Sequence, residues 1–358
     1  MKILLIRLRL IGDVVFTTPV LRALKRQFPR ARLSYLVERE AAAVVKNHPD
    51  IDELIIVSRR RGVRRVLDDL RLARQLRRAR FDLVIDLHGG PRSSWLARAT
   101  GATQRIGYDV TGRSWLYTRT VARPRELRPR HSVVNQWDLL SAIEGWSAPA
   151  PDPAVDSVSM ASDAAADTTI ERRLRALNIG PTHELMVVHV SAGNPFRRWP
   201  EAAFVRLICA LASANDVRRI ILSSGPSDAA VAHRIVAAAK TELGAGRADR
   251  IVDFGDFDLA ELRALVVRSR LFVGGDTGPL HIAATTRTPI VGIFGPTLSA
   301  RSAPWRDPAI PTESVEIHGL PCRPCEQRVC VPGDFRCLTT LRPDDVVLAA
   351  ERVLRRSA

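Results

Sequence analysis

Aromatic residues make up only 5% of this 358-residue chain, which leaves little of the stacking surface that proteins use to hold unpaired bases. No apolar run approaches the roughly 18 residues that a membrane-crossing helix requires. At the N-terminus Lys2, Arg7, Arg9 and Asp13 interrupt the run Ile3-Leu4-Leu5-Ile6, too short for a signal peptide, so a cytoplasmic location is expected. The HExxH, GxSxG and Walker A patterns are absent, as are internal repeats. Their absence removes the motif-level case for a zinc protease, an α/β-hydrolase or a P-loop enzyme. Acidic residues are in deficit: 54 Lys and Arg face 38 Asp and Glu, a net charge of +16. Such a field draws nucleic acid, anionic membrane or phosphorylated substrates without choosing among them.

What is present is alternation. The length exceeds one ordinary domain and implies two. Strands are expected at Lys2–Leu8, Arg32–Val37, Glu53–Val57 and Phe81–Leu87, with a helix over Val14–Phe28. Residues Ser147–Asp167, rich in Ala, Pro, Ser and Asp, read as a linker with irregular structure. Strands then recur at Glu184–Val190, Arg219–Ser223, Leu271–Gly275 and Pro289–Phe294. Helices are expected at Pro200–Ala214, Ala229–Leu243, Leu259–Arg268 and Pro343–Arg355. This pattern predicts two doubly wound α/β domains, 1–160 and 161–342. The closing helix, 343–358, is expected to pack back on the first domain. Ligands of such sheets sit at the carboxyl ends of the strands, with a cleft expected between the domains.

The most informative stretch is Leu271-Phe-Val-Gly-Gly-Asp-Thr-Gly-Pro-Leu-His281. A buried strand runs into a glycine-rich turn and a helix start, with Pro279 where a missing N–H costs nothing. The free N–H groups and the helix dipole there suit a phosphate. Ser191, Gly193, Arg197 and Arg198, in the loop after Glu184–Val190, could hold the same diphosphate opposite Thr277 and Gly278; the plain alternative is a solvated basic loop. His281 reads either as a buried supporting histidine or as part of this site. Phe294-Gly-Pro-Thr297 ends the next strand and could line the same pocket.

In the first domain, Gly12 permits a tight turn and Asp13 opens the first helix. Asp13 is either the helix cap or a general base, and the two roles are compatible because one oxygen can cap while the other faces substrate. His88, Arg92 and Ser93 follow another strand and could touch an acceptor.

Arg59–Arg80 is a basic amphipathic stretch whose apolar stripe is Val63, Val66, Leu67, Leu70, Ala73 and Leu76. The plainer reading packs it on the sheet with its arginines in water. The alternative is contact with anionic lipid head groups, which would leave the stripe exposed. Four of the five cysteines, Cys322, Cys325, Cys330 and Cys337, cluster near the C-terminus, and Cys209 stands apart in a helix. The first pair has zinc-type spacing but no matching second pair, so a structural metal and reduced thiols both remain open.

Taken in order, Ile11-Gly-Asp13, Asp86-Leu-His-Gly89, Arg105-Ile-Gly107, Arg197-Arg-Trp-Pro200, Gly275-Asp-Thr-Gly-Pro-Leu-His281 and Phe294-Gly-Pro-Thr297 resemble glycosyltransferase family 9, the ADP-heptose:lipopolysaccharide heptosyltransferases. The resemblance implies a GT-B fold and inverting transfer of a heptose from ADP-heptose to the inner core of lipopolysaccharide, a Kdo/heptose–lipid A acceptor. It implies no metal in catalysis and no nucleic-acid partner. It places the work at the cytoplasmic face of the inner membrane, with peripheral contact to anionic lipid. Carried over, Asp13 matches the family's proposed base. Asp276, Thr277 and Gly278 match donor-contacting residues, and Arg197 stands where the family usually has a lysine. A transferase using another nucleotide sugar, a nucleotide-sugar epimerase and a basic nucleic-acid-binding protein with a cysteine-bound metal are the competing readings.

Overall fold

Four consecutive apolar residues, Ile3 to Ile6, are completely buried in β1 (Lys2–Ile6), as a strand covered on both faces must be. In the computed structural model, which describes residues 1–58, 62–122, 130–252, 254–325 and 327–357, β1 sits at the centre of a six-stranded sheet. Its companions are β2 (Arg32–Glu38), β3 (Glu53–Val57), β4 (Leu83–Asp86), β5 (Gln104–Asp109) and β6 (Arg119–Ala122), all parallel, in the order β3-β2-β1-β4-β5-β6. The chain divides into two compact units, Met1–Ala161 and Ser162–Ala358.

The second unit repeats the plan. Its strands are β7 (Glu184–His189), β8 (Arg218–Ser223), β9 (Ile251–Val252), β10 (Leu271–Gly275), β11 (Ile290–Phe294) and β12 (Thr312–Glu316). They are again all parallel, in the order β12-β11-β10-β7-β8-β9. Counted from the first strand of each unit, the order is the same 3-2-1-4-5-6, the doubly wound Rossmann arrangement. In each sheet the winding reverses between the first strand and the fourth: β1 and β4 in one unit, β7 and β10 in the other. The loops leaving those strands are where such folds bind ligands.

Several elements differ from the sequence reading for local reasons. The helix expected over Val14–Phe28 is two helices, Ile11–Val15 and Thr18–Gln27, with Pro19 in the first turn of the second. A proline there starts a helix more readily than it continues one. The segment Ser147–Asp167 already contains the start of helix Ala164–Ala176, capped by the Asp163 carboxylate on the N–H groups of Ala165 and Ala166. Strands β5, β6, β9 and β12 were not expected; β9 is only the two residues Ile251–Val252. β6 and β12 are edge strands carrying Arg119, Thr120, Glu313 and Glu316, so they lack the continuous apolar run that marks a central strand.

The closing helix Pro343–Arg355 buries Val346, Ala349, Ala350 and Val353 in the core of the second unit, with Val291, Ile293 and Leu207. That correction has a simple cause. After the intervening segment 317–342, which itself belongs to the second unit, the helix lays its apolar stripe on the face of that unit's own sheet.

The basic stretch gives the largest surprise. Helix Gly62–Ala79 buries Leu72 and Leu76, while Val63, Val66, Leu67 and Leu70 of the expected core stripe are exposed. Arg59, Arg60 and Arg61 lie outside the described residues.

Candidate active site

The loop after β1 carries the first cluster. Leu10 is the N-cap of helix Ile11–Val15, and Asp13 is its third residue, not its cap. The Leu10 N–H donates to Asp13 Oδ2 at 3.4 Å, and Arg7 Nη2 stands 2.5 Å from the same oxygen. No described group bonds to Oδ1, and the carboxylate is one-third exposed. The division of labour between the two oxygens is thus built in. Gly12 is a buried helical residue with no positive φ, so it does not make the tight turn expected of it.

Arg7 was not singled out as a site residue, yet it organises this end of the sheet. Its Nη1 donates to the Leu87 carbonyl at 2.5 Å while Nη2 pairs with Asp13, tying the loop after β1 to the end of β4. Asp86, the last residue of β4, is fully buried. Its Oδ1 accepts the N–H groups of His88 (2.9 Å) and Gly89 (3.0 Å), and its Oδ2 accepts the Tyr117 hydroxyl at 2.6 Å. This fastening shapes the turn, where Gly89 has φ +66°. His88 Nδ1 is buried without a partner among the described residues. Burial, and then the charge of Arg7, push the His88 imidazole below its ordinary range, with Asp86 opposing.

The other two residues expected near an acceptor have internal work. Arg92 binds Asp69 Oδ1 (2.6 and 3.0 Å) and Glu38 Oε1 (3.1 Å). Ser93 is completely buried, its hydroxyl exchanging hydrogen bonds with the main chain of Gly90 at 3.0 Å. Both hold the start of helix Pro91–Ala99.

The second cluster centres on Asp276, directly after β10. Its carboxylate is buried. Thr297 donates to Oδ2 at 2.6 Å, Arg197 Nη1 lies 3.3 Å from Oδ2, and His281 Nε2 lies 3.2 Å from Oδ1. Burial pushes the carboxyl up, but the bond and charge of His281, the charge of Arg197 and the Thr297 hydroxyl outweigh it and hold Asp276 below the ordinary carboxylate range. Asp276 and His281 therefore organise the site from within.

Arg197 closes the arrangement. Nη1 also donates to the Asp276 main-chain oxygen at 2.7 Å, and Nε donates to Gln327 Oε1 at 2.8 Å. Nη2 donates to no described residue, and the side chain is 30% exposed. Gln327 Oε1 also accepts from Asn194 Nδ2 at 2.8 Å, so the cysteine-rich segment reaches back to hold the arginine. No motif pointed to Gln327; its role comes from a contact across 130 residues.

Thr277 is the N-cap of helix Gly278–Ala283. Its hydroxyl donates back to Gly275 O at 3.3 Å, leaving the helix start without a side-chain cap. Gly193 is exposed, with open space where a Cβ would stand. Ser191, by contrast, is buried, and its hydroxyl is committed to Asp228. Arg198 pairs with the other oxygen of Asp228 at 2.9 Å. The two neighbouring arginines thus part ways: Arg198 braces the loop and Arg197 faces the turn.

Cys322, Cys325, Cys330 and Cys337 are free thiols lining one cavity of about 710 Å³ together with Phe196, Pro296 and Phe335. Among the described residues, no group of three or more His, Cys, Asp or Glu could hold a metal ion. Cys209 is buried in helix Glu201–Ala214, where burial pushes its thiol up to about 11. No helix among the described residues is long and apolar enough to cross a membrane.

The family described as "Glycosyltransferase family 9 (heptosyltransferase)" matches residues 69–333. Lipopolysaccharide heptosyltransferase 3 of Escherichia coli (strain K12) is 26% identical over 97% of this chain and 96% of its own length. The glycosyl transferase family 9 structure from Veillonella parvula DSM 2008 superposes with a TM-score of 0.82 at 22% identity, covering 99% of this chain and 97% of its own. An E. coli heptosyltransferase solved with ADP-2-deoxy-2-fluoro heptose superposes with a TM-score of 0.68 at 20% identity, over 100% of both chains. The architecture is that of the GT-B heptosyltransferases.

Proposed function

We propose that this chain, which belongs to glycosyltransferase family 9 (heptosyltransferase), transfers a heptose from ADP-heptose to the inner core of lipopolysaccharide, with inversion. The observation that carries the reading is the pairing of functions with switch points. The loop after β1 presents a carboxylate with one uncommitted oxygen, and the loops after β7 and β10 present an arginine with one uncommitted nitrogen beside a bare helix start.

In this reading the acceptor hydroxyl attacks the anomeric carbon of the heptose while Asp13 Oδ1 takes its proton. The bond from that carbon to the diphosphate oxygen breaks, and ADP departs with the electron pair. Arg197 Nη2 and the main-chain N–H groups at Thr277–Gly278 meet the charge that builds on the leaving diphosphate. Asp276, His281 and Thr297 hold Arg197 and the turn in place. His88, with its unpartnered Nδ1, is the acceptor-side contact. The relative solved with an ADP-heptose analogue supports the choice of donor. The acceptor is lipid-borne, so the enzyme works at the cytoplasmic face of the inner membrane, against anionic lipid.

The test is a donor screen. Thermal stabilisation of the chain is measured with ADP-heptose, UDP-sugars and GDP-sugars, followed by product analysis with a Kdo–lipid A acceptor. Selective stabilisation by ADP-heptose and a heptosylated product are expected. Preference for a UDP-sugar would transfer the assignment to a GT-B enzyme of another donor.

A further inference from the structure

Helix Gly62–Ala79 turns outward apolar residues that a helix packed on its own sheet would bury. Val63, Val66, Leu67 and Leu70 are 76, 57, 48 and 39% exposed. At spacings of three and four they form one stripe over the first two turns. Single exposed apolar side chains are ordinary, but four in a contiguous stripe are not. Leu72 and Leu76, which hold the helix to the sheet, lie on the opposite side.

Further along the exposed side the stripe gives way to Arg74, Arg77 and Arg78, all exposed, with Arg71 on its flank. The helix carries six arginines against two aspartates. Those two acids are spent within the unit: Asp69 on Arg92 and Arg65, Asp68 on Arg71. An apolar stripe beside an uncompensated basic one is the surface that lies in a headgroup layer, apolar side chains among the acyl chains and guanidinium groups on lipid phosphates.

We propose that this helix face is the docking surface for an anionic lipid bilayer. The inference deepens the reading above and rests on it for the lipid-borne acceptor. The same helix grips the start of helix Pro91–Ala99 through Asp69 and Arg92, beside His88. Docking therefore engages an element fastened directly to the acceptor-side loop.

The experiment is flotation of the full chain with vesicles of phosphatidylglycerol and phosphatidylcholine, against phosphatidylcholine alone. It is repeated for two double variants, Leu67→Ser with Leu70→Ser and Arg74→Glu with Arg78→Glu. The native chain should float with the anionic vesicles only, and each double variant should bind them at least about tenfold more weakly. Transfer to a deacylated, water-soluble acceptor should be unchanged in both variants, while transfer to acceptor embedded in vesicles should fall with binding. Failure of the native chain to float, or variants that bind as well as native, would overturn the proposal. So would a native dimer that the variants convert to monomer, since a second copy would then be the occupant. If the native chain transfers nothing to the soluble acceptor, the enzymatic reading fails, and flotation still decides the helix.

Discussion

One nitrogen of Arg197 serves Asp276 twice: Nη1 is 2.7 Å from the main-chain oxygen and 3.3 Å from carboxylate Oδ2. With Nε spent on Gln327, the guanidinium plane is locked and only Nη2 is left for a ligand. Replacing Arg197 with Ala should weaken ADP binding about 10- to 100-fold, the scale of a charge-assisted bond to phosphate. Arg197→Lys should fall between, because an ammonium keeps the charge and loses the fork. Isothermal titration with ADP reads both, and unchanged affinity in Arg197→Ala would remove the residue from the diphosphate site.

Asp13 should separate chemistry from donor binding. Asp13→Ala removes the proposed base together with the partner of Arg7, and turnover should drop by about 10²–10⁴. ADP affinity should stay within about twofold of native, because every proposed diphosphate contact lies in the second unit. Near-normal turnover in this variant would sink the assignment of the base.

The buried Asp276 carboxylate makes stability depend on acid. Its folded-state pKa lies below the ordinary 3.8, so as pH falls the unfolded chain takes up this proton first. The stabilisation is complete above the unfolded value and is lost as pH drops through the folded one. Asp276→Asn should therefore melt lower at neutral pH and lose less on acidification below about pH 4. Melting curves across the acid range decide it, and parallel curves for the two proteins would contradict it.

His189 acts higher on the scale. Burial drives its pKa down to about 4, against a smaller opposing pull from Asp228, and the ring is held by Ser223 at 2.8 Å. Between about pH 6.5 and pH 4 the unfolded chain binds the proton and the folded chain does not, so stability falls as pH falls. The full loss is on the order of 3 kcal/mol. His189→Gln can keep a hydrogen bond to Ser223 but has no proton to gain, so its melting temperature should slope less over this range. An equal slope would mean that His189 does not carry the effect.

The turn carrying His88 depends on a glycine far from it in sequence. A Cβ on Gly107 would stand 2.3–2.7 Å from the ring of Tyr117, whose hydroxyl holds Asp86 Oδ2. Gly107→Ala should cost about 1–3 kcal/mol through overpacking. Tyr117→Phe should cost a similar amount by leaving a lone pair of a buried carboxylate without its donor. Both should lower transfer more than ADP binding. Denaturant melts and kinetics check this, and a stable, fully active Gly107→Ala would show that the ring has room to move.

Much of this was readable before any coordinates. The central strands announced themselves as unbroken apolar runs, because a parallel strand is covered on both faces. Asp13, Arg197 and the turn at Asp276–Gly278 lie where strands end, and the rule that doubly wound sheets bind ligands there needs no contact map. The supporting residues were hidden. Gln327 and Tyr117 sit in no motif of their own, and their partners are 130 and 31 residues away; Arg7 lies in the stretch leading to Asp13, but its partner Leu87 is 80 residues away. Arg92 and Ser93 have the right chemistry for an acceptor contact, yet internal partners claim them.

Local pattern was enough for the alternating α/β class, the two-domain plan and the positions of the strand-end loops, because these follow from periodicity and from glycine and proline placement over a few neighbouring residues. It was not enough for three decisions. Which oxygen of Asp13 is left over depends on where Arg7 reaches. Which of two adjacent arginines faces the turn at Asp276–Gly278 depends on Asp228 capturing the other. Which side of helix Gly62–Ala79 is buried depends on the sheet beneath it, which takes Leu72 and Leu76 and leaves the stronger-looking stripe outside. Each is a competition among long-range partners, and only the folded chain brings the competitors together.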